Sequence, residues 1–340
     1  MTEQRISRIR EIRRMSVEDK FYAVGVVSRF SLRKDRKGKN YWDLAIMDED
    51  GLLEGKVWSD ATWWDKRGEV QREIPDPAGS DLFRDLAGKS LGLAGKVAEF
   101  RGQPQYNFNG VYFVNQERFP PHQFVPRSPV PQETLERNFR ELLDRCSSPL
   151  SEFLDFVFFG KGLWEEFRKL PAAVTHHHAY VAGLLEHTVA VAGTTWSLAG
   201  TYGKEGFDVD PSVAVAGALL HDLGKTEAYR LTPAPEMTVK GTFIDHIVLG
   251  YNRFEALARE FGLDEQLLLA VGHILISHHG SREFGSPVLP ATPEAMIVSA
   301  ADELDFRLFC WKDAVERMED GREISDFNPS AQRRFWKWDR

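Results

Sequence analysis

The run Ala214-Val215-Ala216-Gly217-Ala218-Leu219-Leu220-His221-Asp222-Leu223-Gly224-Lys225 is the most informative stretch of this 340-residue chain. Its small apolar residues predict a buried helix that ends in an imidazole beside a carboxylate. Side chains of these two kinds bind one metal ion together, and Gly224 would let the chain leave the helix in a left-handed conformation. The run therefore predicts a helical domain with a pair of metal ligands at a helix end.

Composition and charge are those of an ordinary soluble globular protein. Hydrophobic residues make up 42% and charged residues 28%, and 340 residues are enough for two domains. The net charge of −8 disfavours nonspecific coating of nucleic acid but allows a local basic groove. Two cysteines, a charged start and no membrane-length apolar run predict a cytoplasmic protein without a disulfide framework, a secretory signal or a membrane partner.

Short β-branched and aromatic runs separated by polar turns occupy the N-terminal third. The predicted strands are 21–27, 41–47, 53–58, 90–100 and 110–115. An insertion with a short helix separates the third strand from the fourth. Five strands with a helical interruption are typical of a small closed barrel of the OB type, which we place at residues 21–118 after an N-terminal extension over 1–20.

Prolines mark the next boundary, because five of them punctuate residues 119–131 and predict a linker. Beyond it the hydrophobic period becomes helical. The predicted helices are 132–145, 151–159, 163–169, 184–199, 211–221, 245–261, 264–278 and 293–318. The chain is thus expected to be a multidomain, β plus all-α protein with a second domain over 132–320, followed by a tail over 321–340 whose structure is not readable.

Nine of the ten histidines lie in the C-terminal half, and several align with acidic residues on the predicted helices. The candidate metal ligands are His187, His221, Asp222, His246, His278, His279 and Asp302. None is a thiolate, so the set favours Mn²⁺, Fe, Co²⁺, Ni²⁺ or Mg²⁺ over structural zinc. His279 joins the set only if the helix ends at His278, since adjacent helical residues point about 100° apart.

Seven ligands are too many for one ion, so the pattern predicts two divalent metal ions that share Asp222. One ion would take His187, His221 and Asp302, and the other would take the three remaining histidines. Two ions about 3.5 to 4 Å apart can activate a hydroxide between them and bind the oxygens of a phosphodiester. The alternative is that each histidine is a satisfied core residue, which becomes less tenable as the number of aligned ligands grows.

The order His187, His221-Asp222, Asp302 resembles the HD superfamily of metal-dependent phosphohydrolases. The segments 177–188, 221–225, 241–246 and 277–287 are similar, more specifically, to the YhaM-type 3′-5′ exoribonucleases. The sequence departs from that pattern at Phe284, where a tryptophan is expected, and at Ala182, where a glycine is expected. The resemblance implies an N-terminal OB-fold, an all-helical HD domain over 132–320, manganese as the metal and assembly as a homo-oligomer.

The resemblance also implies roles for residues around the ligands. Asp222 and Lys225 would be catalytic, with the ammonium of Lys225 on a phosphate oxygen. The residues expected to contact substrate phosphate or base are His177, His178, Tyr180 and Arg282. The alternatives are that Lys225 interacts with a helix dipole and that the residues before the first ligand helix only cap it or fill its entry.

A basic loop in the predicted barrel indicates nucleic-acid binding. The run Arg33-Lys34-Asp35-Arg36-Lys37-Gly38-Lys39 joins two predicted strands and is followed by Tyr41 and Trp42. Basic groups along a backbone and aromatic rings that stack bases are the usual parts of a single-strand binding surface. We expect Arg33, Lys34 and Lys37 to contact phosphates and the two aromatic residues to stack bases, the alternative being a solvated turn beside core aromatics.

Together these observations predict a metal-dependent 3′-5′ exonuclease of single-stranded RNA, with single-stranded DNA as a further substrate, that acts by in-line attack of a metal-bound hydroxide. Two other functions stay open at this stage. The first is a phosphohydrolase of small or cyclic nucleotides whose OB domain is regulatory. The second is a nucleic-acid-binding module whose metal site is only structural.

Overall fold

The computed structural model describes residues 5–68, 70–83, 86–100, 102–174, 178–232, 235–316, 318 and 321–338. The chain divides into two compact units. The first consists of residues 1–127 and 231–234, and the second of residues 128–230 and 235–340. No helix within the described ranges is long and apolar enough to cross a bilayer.

The first unit is built on a six-stranded sheet. A short helix, α1 (Ile9–Ile12), precedes the strands β1 (Lys20–Lys34), β2 (Asn40–Asp48), β3 (Gly51–Lys66), β4 (Arg72–Glu73), β5 (Ser90–Phe100) and β6 (Gln103–Val114). The order is β2-β1-β5-β6-β3-β4, with β2 also paired to β3. Neighbouring strands are antiparallel except for β3 and β6, which are parallel.

The strand prediction was incomplete in four places. Strand β1 continues to Lys34 and β3 to Lys66, well past the predicted 21–27 and 53–58, so Arg33 and Lys34 lie in β1 and not in the loop that follows it. The two-residue strand β4 was not expected, because so short a segment carries no periodic signal. Strand β6 begins at Gln103 and not at Gly110, since its first half alternates polar residues that pair with β5. The insertion does contain the expected short helix, a 3₁₀ turn over Asp81–Phe83.

Aromatic side chains fill the core of the first unit. The Trp63 side chain is 2% exposed, and its ring lies 5.0 Å from the rings of both Trp42 and Phe83. Trp42 is itself only 4% exposed. The expectation that Trp42 stacks nucleic-acid bases is therefore wrong, because alternation along β2 turns this ring into the core and leaves Tyr41 on the other side.

The second unit is mainly helical. Its helices are α2 (Gln132–Leu143), α3 (Leu150–Asp155), α4 (Trp164–Phe167), α5 (Gly183–Lys204), α6 (Pro211–Leu220), α7 (Lys225–Ala228), α8 (Val239–Phe243), α9 (His246–Phe261), α10 (Glu265–Ser277) and α11 (Pro293–Glu316). A π-helical turn, Phe156–Gly160, continues α3. The predicted domain over 132–320 is not all-α, since β7 (Tyr229–Leu231) and β8 (Pro235–Met237) form a two-stranded sheet that the sequence did not predict.

Helix α6 lies at the centre of the second unit. Every residue from Ser212 to Leu220 is buried, and the helix packs against α5, α10 and α11. A helix that is apolar all round has no solvent face, which explains the small-residue run. The helix begins at Asp210, whose carboxylate accepts hydrogen bonds from the backbone of Ser212 (2.8 Å) and Val213 (3.1 Å).

The adjacent tryptophans of β3 give a test of the first core. We expect Trp63→Ala to lower the free energy of unfolding of the first unit by about 3–5 kcal/mol, because it removes a fully buried ring. Trp64→Ala is the matched control, since this neighbour is only partly buried, and a smaller loss is expected. Urea titration followed by hydrogen exchange in peptides of the first unit separates the two variants. Equal losses would contradict the assigned core.

Candidate metal centre

Asp222 lies where five helices of the second unit converge. Helix α6 ends at Leu220, so His221 and Asp222 follow its last turn, and their side chains are 1% and 2% exposed. Helix α5 brings His187 and α11 brings Asp302. Helices α9 and α10 bring the other three histidines, His246, His278 and His279. Each predicted metal ligand thus reaches the same region of the unit.

The first group of ligands surrounds Asp222 Oδ2. His187 Nε2 lies 3.2 Å from His221 Nε2, 3.2 Å from Asp302 Oδ1 and 3.4 Å from Asp222 Oδ2. His221 Nε2 lies 3.2 Å from Asp222 Oδ2. Ligands bound side by side at about 2.0–2.2 Å from one ion are separated by roughly 3 Å. The spacing of these four side chains therefore fits one metal ion.

The second group faces the other oxygen of the same carboxylate. His246 Nε2 lies 3.6 Å and His278 Nε2 3.9 Å from Asp222 Oδ1. His246, His278 and His279 offer ring nitrogens that all lie within 4.8 Å of one another. The helix α10 ends at Ser277, which lets the adjacent histidines turn toward one place as the sequence required. Asp222 thus presents one oxygen to each group.

In each of the five candidate ligand histidines, the Nδ1 atom lies beside a hydrogen-bond acceptor of the protein. His221 donates to Ala218 O (2.7 Å), His278 to Leu275 O (2.8 Å) and His279 to Phe284 O (2.6 Å). The carboxylates serve the other two, with His187 at 2.7 Å from Asp305 and His246 at 3.1 Å from Asp245. An acceptor on Nδ1 fixes the tautomer that leaves Nε2 available to a metal.

Several buried polar atoms of the centre lack a protein partner. Among the described residues, Asp222 Oδ1, His246 Nε2 and His278 Nε2 are buried without a hydrogen bond. Leaving such an atom unsatisfied costs about 1–3 kcal/mol, which folded proteins generally avoid. A divalent cation between these atoms would satisfy all three, so the residues present fit a metal.

Electrostatics in the centre favour the metal-binding protonation state at Asp222 and His278, but not at His187. Burial alone would raise the pKa of Asp222, but Lys225 and His221 hold it well below its usual range. Burial, His279 and His221 lower the pKa of His278 well below 6.5, so its ring is neutral near pH 7. For His187, burial acts downward, but Asp222, Asp302 and Asp305 raise the pKa well above 6.5. A metal would therefore displace a proton from His187.

Gly224 is needed for close packing and not for a left-handed exit. Its φ of −67° is right-handed, contrary to the expectation from the sequence. A Cβ atom here would lie 1.9 Å from the carbonyl oxygen of His246 and 2.4 Å from the nitrogen of Gly250. The missing side chain thus lets the start of α9 approach the turn after Asp222, and this approach brings His246 to the carboxylate.

Comparison with known proteins agrees with this geometry. Residues 184–307, which carry all the ligands described above, match the family model of the HD domain. This part of the chain is an HD domain. The wider resemblance inferred from the motifs is also confirmed, because curated proteins named 3′-5′ exoribonuclease YhaM align with 88% of the chain.

The relatives come from three bacilli. The protein from Bacillus subtilis (strain 168) is 27% identical over 301 residues, which are 88% of this chain and 89% of the relative. Those from Bacillus velezensis and Bacillus pumilus are each 26% identical with the same coverage. The similarity therefore extends well beyond the HD domain in a chain of similar length.

One residue of the HD domain that sequence reasoning missed is Asp305. Its Oδ2 atom accepts from His187 Nδ1 (2.7 Å) and from His178 Nε2 (3.1 Å). Asp305 follows Asp302 by three residues on α11, a spacing that places both on one helix face. That spacing was the available signal, but it gains meaning only once α5 is known to pack beside α11.

The predicted substrate residues near the first ligand helix lie in different places. His178 is 5% exposed, and its Nδ1 atom lies 2.6 Å from the Tyr180 hydroxyl, which donates to Glu186 (2.8 Å). His178 therefore supports Asp305 and does not face substrate, in line with the alternative weighed from the sequence. Tyr180 is partly buried in the same network, and His177 lies outside the described residues.

The remaining predicted residues are either beside the centre or exposed. Lys225 Nζ forms an ion pair with Asp222 Oδ2 at 2.6 Å. Lys225 is 5% exposed. It is thus buried, and not a solvated lysine. Arg282 is exposed on a 3₁₀ turn shortly after His279. In the first unit, Lys34 and Lys37 are exposed, and Arg33 pairs with Asp43 (2.6 Å).

The contact between Asp305 and His187 gives a metal-binding prediction. We expect Asp305→Ala to weaken binding of the first metal about 10–100-fold, because His187 loses the acceptor that orients it. Glu303→Gln on the same helix is the control, since Glu303 is exposed and pairs with Arg307. Titration calorimetry on metal-free protein measures both. Equal affinity in the Asp305 variant and wild type would refute the role.

Gly224 gives a packing prediction. We expect Gly224→Ala to lower the free energy of unfolding by about 3 kcal/mol or more, because the new methyl group collides with the backbone of α9. Gly193→Ala on α5 is the control, since a Cβ atom there meets nothing within 4 Å, and we expect it to stabilise by about 0.5–1 kcal/mol. Thermal melting and metal content measure both effects. A neutral Gly224→Ala would contradict the close approach.

Proposed function

We propose that this protein is a metal-dependent nuclease that removes nucleotides from the 3′ end of single-stranded RNA. The observation that carries the proposal is the pair of ligand groups sharing Asp222, one on each oxygen of the carboxylate. The family match supports a hydrolase, and the names of the relatives support 3′-5′ exonuclease action on RNA. Single-stranded DNA, which has the same phosphodiester linkage, is proposed as a weaker substrate.

We propose two metal ions, with manganese the most suitable. His187, His221, Asp302 and Asp222 would hold the first, and Asp222 with His246, His278 and His279 would hold the second. When bound, the ions would lower the pKa of a coordinated water and stabilise charge on the phosphate for in-line displacement. The ligands are nitrogen and carboxylate oxygen atoms, which suit Mn²⁺, Fe, Co²⁺ or Ni²⁺ and tolerate Mg²⁺.

Lys225 and Arg282 are proposed to handle charge around the reaction. Burial lowers the pKa of Lys225, but Asp222 more than offsets this and raises it, so the side chain is cationic. It compensates the buried Asp222 carboxylate and would add a positive charge near the phosphate. Arg282 projects from the turn after His279 and is free to meet a phosphate from solvent. Tyr180 would act at the entry of the site through its contact with Glu186.

The first unit is proposed to be an OB-fold barrel over residues 21–118, joined by a linker over 119–131 to an HD domain over 132–320. Strand pairings that lead from β1 through β2, β3, β6 and β5 back to β1 support this assignment. Such barrels bind single strands with basic groups and stacked aromatic rings. Homo-oligomeric assembly is a further proposal, which rests on the resemblance alone.

A single-strand surface on this unit is supported by residues around β2 and β3. The rings of Tyr41 and Trp58 lie 5.2 Å apart. Lys56 Nζ lies 4.8 Å from the first ring and 5.6 Å from the second. Trp58 thus takes the stacking role that Trp42 cannot fill. The exposed Lys34 and Lys37, with Arg33, would bind phosphates beside this pair.

Hydrolysis of 5′-labelled RNA with Mn²⁺ tests the proposal. We expect products that shorten stepwise from the 3′ end, and a rate at least about 10²-fold lower in Asp222→Asn. Asp208→Asn is the matched control, because Asp208 is an exposed carboxylate between α5 and α6. Turnover of only mononucleotides or cyclic dinucleotides would favour the small-nucleotide hydrolase. RNA binding without hydrolysis under any of the five metals would favour a structural metal site.

Removal of metal gives an independent test. We expect EDTA treatment to abolish hydrolysis and Mn²⁺ to restore it with about two ions bound per chain, since two ligand groups are present. Elemental analysis after gel filtration counts the ions. We expect His246→Ala, which affects only the second group, to retain about one ion, and a count of two in that variant would contradict the division of ligands.

A further inference from the structure

The C-terminal tail, which the sequence left unread, is folded as a hairpin over residues 322–338. Backbone hydrogen bonds join Lys337 N to Glu323 O (2.7 Å), Ser325 N to Phe335 O (2.9 Å) and Asn328 N to Arg333 O (2.8 Å). Antiparallel bridges pair Ile324 with Trp336 and Asn328 with Arg333. We call this segment the C-terminal hairpin.

The C-terminal hairpin is attached to the helix that carries part of the metal centre. The indole nitrogen of Trp311 on α11 donates to Trp336 O at 3.2 Å. Trp311 follows Asp302 by nine residues, which is about 14 Å along the helix and half a turn around it. The C-terminal hairpin is therefore near the centre along α11 but on a different face.

Two tryptophan rings of the C-terminal hairpin are exposed side by side. Trp336 is 59% and Trp338 54% exposed. Their ring centroids lie 6.0 Å apart with an angle of 31° between the planes. Large apolar rings are seldom left in water as a pair without a binding role.

The charge around the rings points to a polyanion. The C-terminal hairpin carries four cations (Arg322, Arg333, Arg334 and Lys337) against two carboxylates (Glu323 and Asp326), within a chain of net charge −8. Arg333, Arg334 and Lys337 are exposed. Arg334 and Lys337 form no ion pair with any residue in the described ranges, so their charges are available to a ligand.

We propose that the C-terminal hairpin is a second binding surface for single-stranded RNA, separate from the HD domain centre and from the first unit. The two indole rings would stack on bases, and the cations would bind the phosphates between them. Its face on α11 differs from that of Asp302, so it holds a segment of the strand away from the cleaved end. The inference rests on the proposed function for the choice of RNA.

The proposal is tested by the binding of fluorescein-labelled oligouridylate to the full-length Asp222→Asn protein. This substitution is used because it prevents digestion of the RNA. We expect Trp336→Ala/Trp338→Ala to weaken binding of an oligomer of about twenty nucleotides about tenfold or more, and that of about four nucleotides far less. Trp336→Phe/Trp338→Phe should retain most of the affinity. The phenylalanine variant also guards against a folding defect, which circular dichroism and thermal melting check directly.

The matched control is Tyr202→Ala/Phe207→Ala. These rings form another exposed aromatic pair of the second unit, 5.5 Å apart and 44% and 58% exposed. Acidic and basic residues are mixed around them, as the run Lys204-Glu205-Gly206-Phe207-Asp208 shows. We expect this variant to bind both oligomers like the parent protein.

Salt dependence tests the cations separately. We expect Arg334→Gln/Lys337→Gln to reduce the slope of log affinity against log salt by about 1.4 for the long oligomer, because each phosphate contact to a single strand contributes about 0.7. An unchanged slope together with unchanged affinity in the tryptophan variant would overturn the proposal.

Two other outcomes would assign the C-terminal hairpin elsewhere and also overturn the proposal. If Trp336→Ala/Trp338→Ala abolishes binding to anionic phospholipid vesicles and leaves the affinity for RNA unchanged, the C-terminal hairpin is a membrane-surface contact. If the same variant changes the molecular mass measured by light scattering and leaves the affinity for RNA unchanged, the C-terminal hairpin is a contact between copies of the chain. If hydrolysis of RNA by wild-type protein fails while the binding results hold, the proposed function fails and the binding surface stands.

Discussion

The carboxylate of Asp222 is the interaction on which the second unit depends. One oxygen faces His187 and His221 at 3.4 and 3.2 Å, and the other faces His246 and His278 at 3.6 and 3.9 Å. Burying a carboxylate costs several kcal/mol unless charges and hydrogen bonds compensate it. Lys225 supplies one compensating positive charge. The remaining compensation would come from a cation bound by the histidine ring nitrogens. The buried carboxylate and the ring nitrogens around it are therefore suited to binding a cation.

The surrounding fold can be understood as the support that such a buried charge requires. Helix α6 is apolar on all sides, so it lies at the centre of the unit and delivers His221 and Asp222 to the interior. The absence of a side chain at Gly224 lets α9 approach, and acceptors on every Nδ1 atom fix the histidine rings. None of these features alone carries a large cost in stability. Their joint effect is that the ligand atoms are positioned before a metal arrives.

Sequence alone predicted the side chains that gather at the centre better than it predicted the residues that support them. His187 and Asp302 were identifiable because few side chains bind metals and their order along the helices is distinctive. Asp305 and the packing role of Gly224 were not, because both depend on which helices become neighbours. For the same reason Trp42 was assigned to a surface, since alternation shows that two sides of a strand differ but not which one is buried. The hairpin after α11 pairs through isolated bridges, which leave no periodic pattern.

The distribution of charge is compatible with the proposed action of an acidic protein on a polyanion. A net charge of −8 opposes loose attachment along a strand, so binding energy must come from small surfaces where cations and aromatic rings coincide. The chain offers such combinations at Tyr41, Trp58 and Lys56, and again at the C-terminal hairpin. Within the second unit, the C-terminal hairpin and the metal centre would contact one strand at separate places, and weak contacts of this kind reinforce each other through effective concentration. Under the proposed function, such an arrangement would favour long strands over mononucleotides without tight binding at any single surface, and the metal centre would be free to release each product.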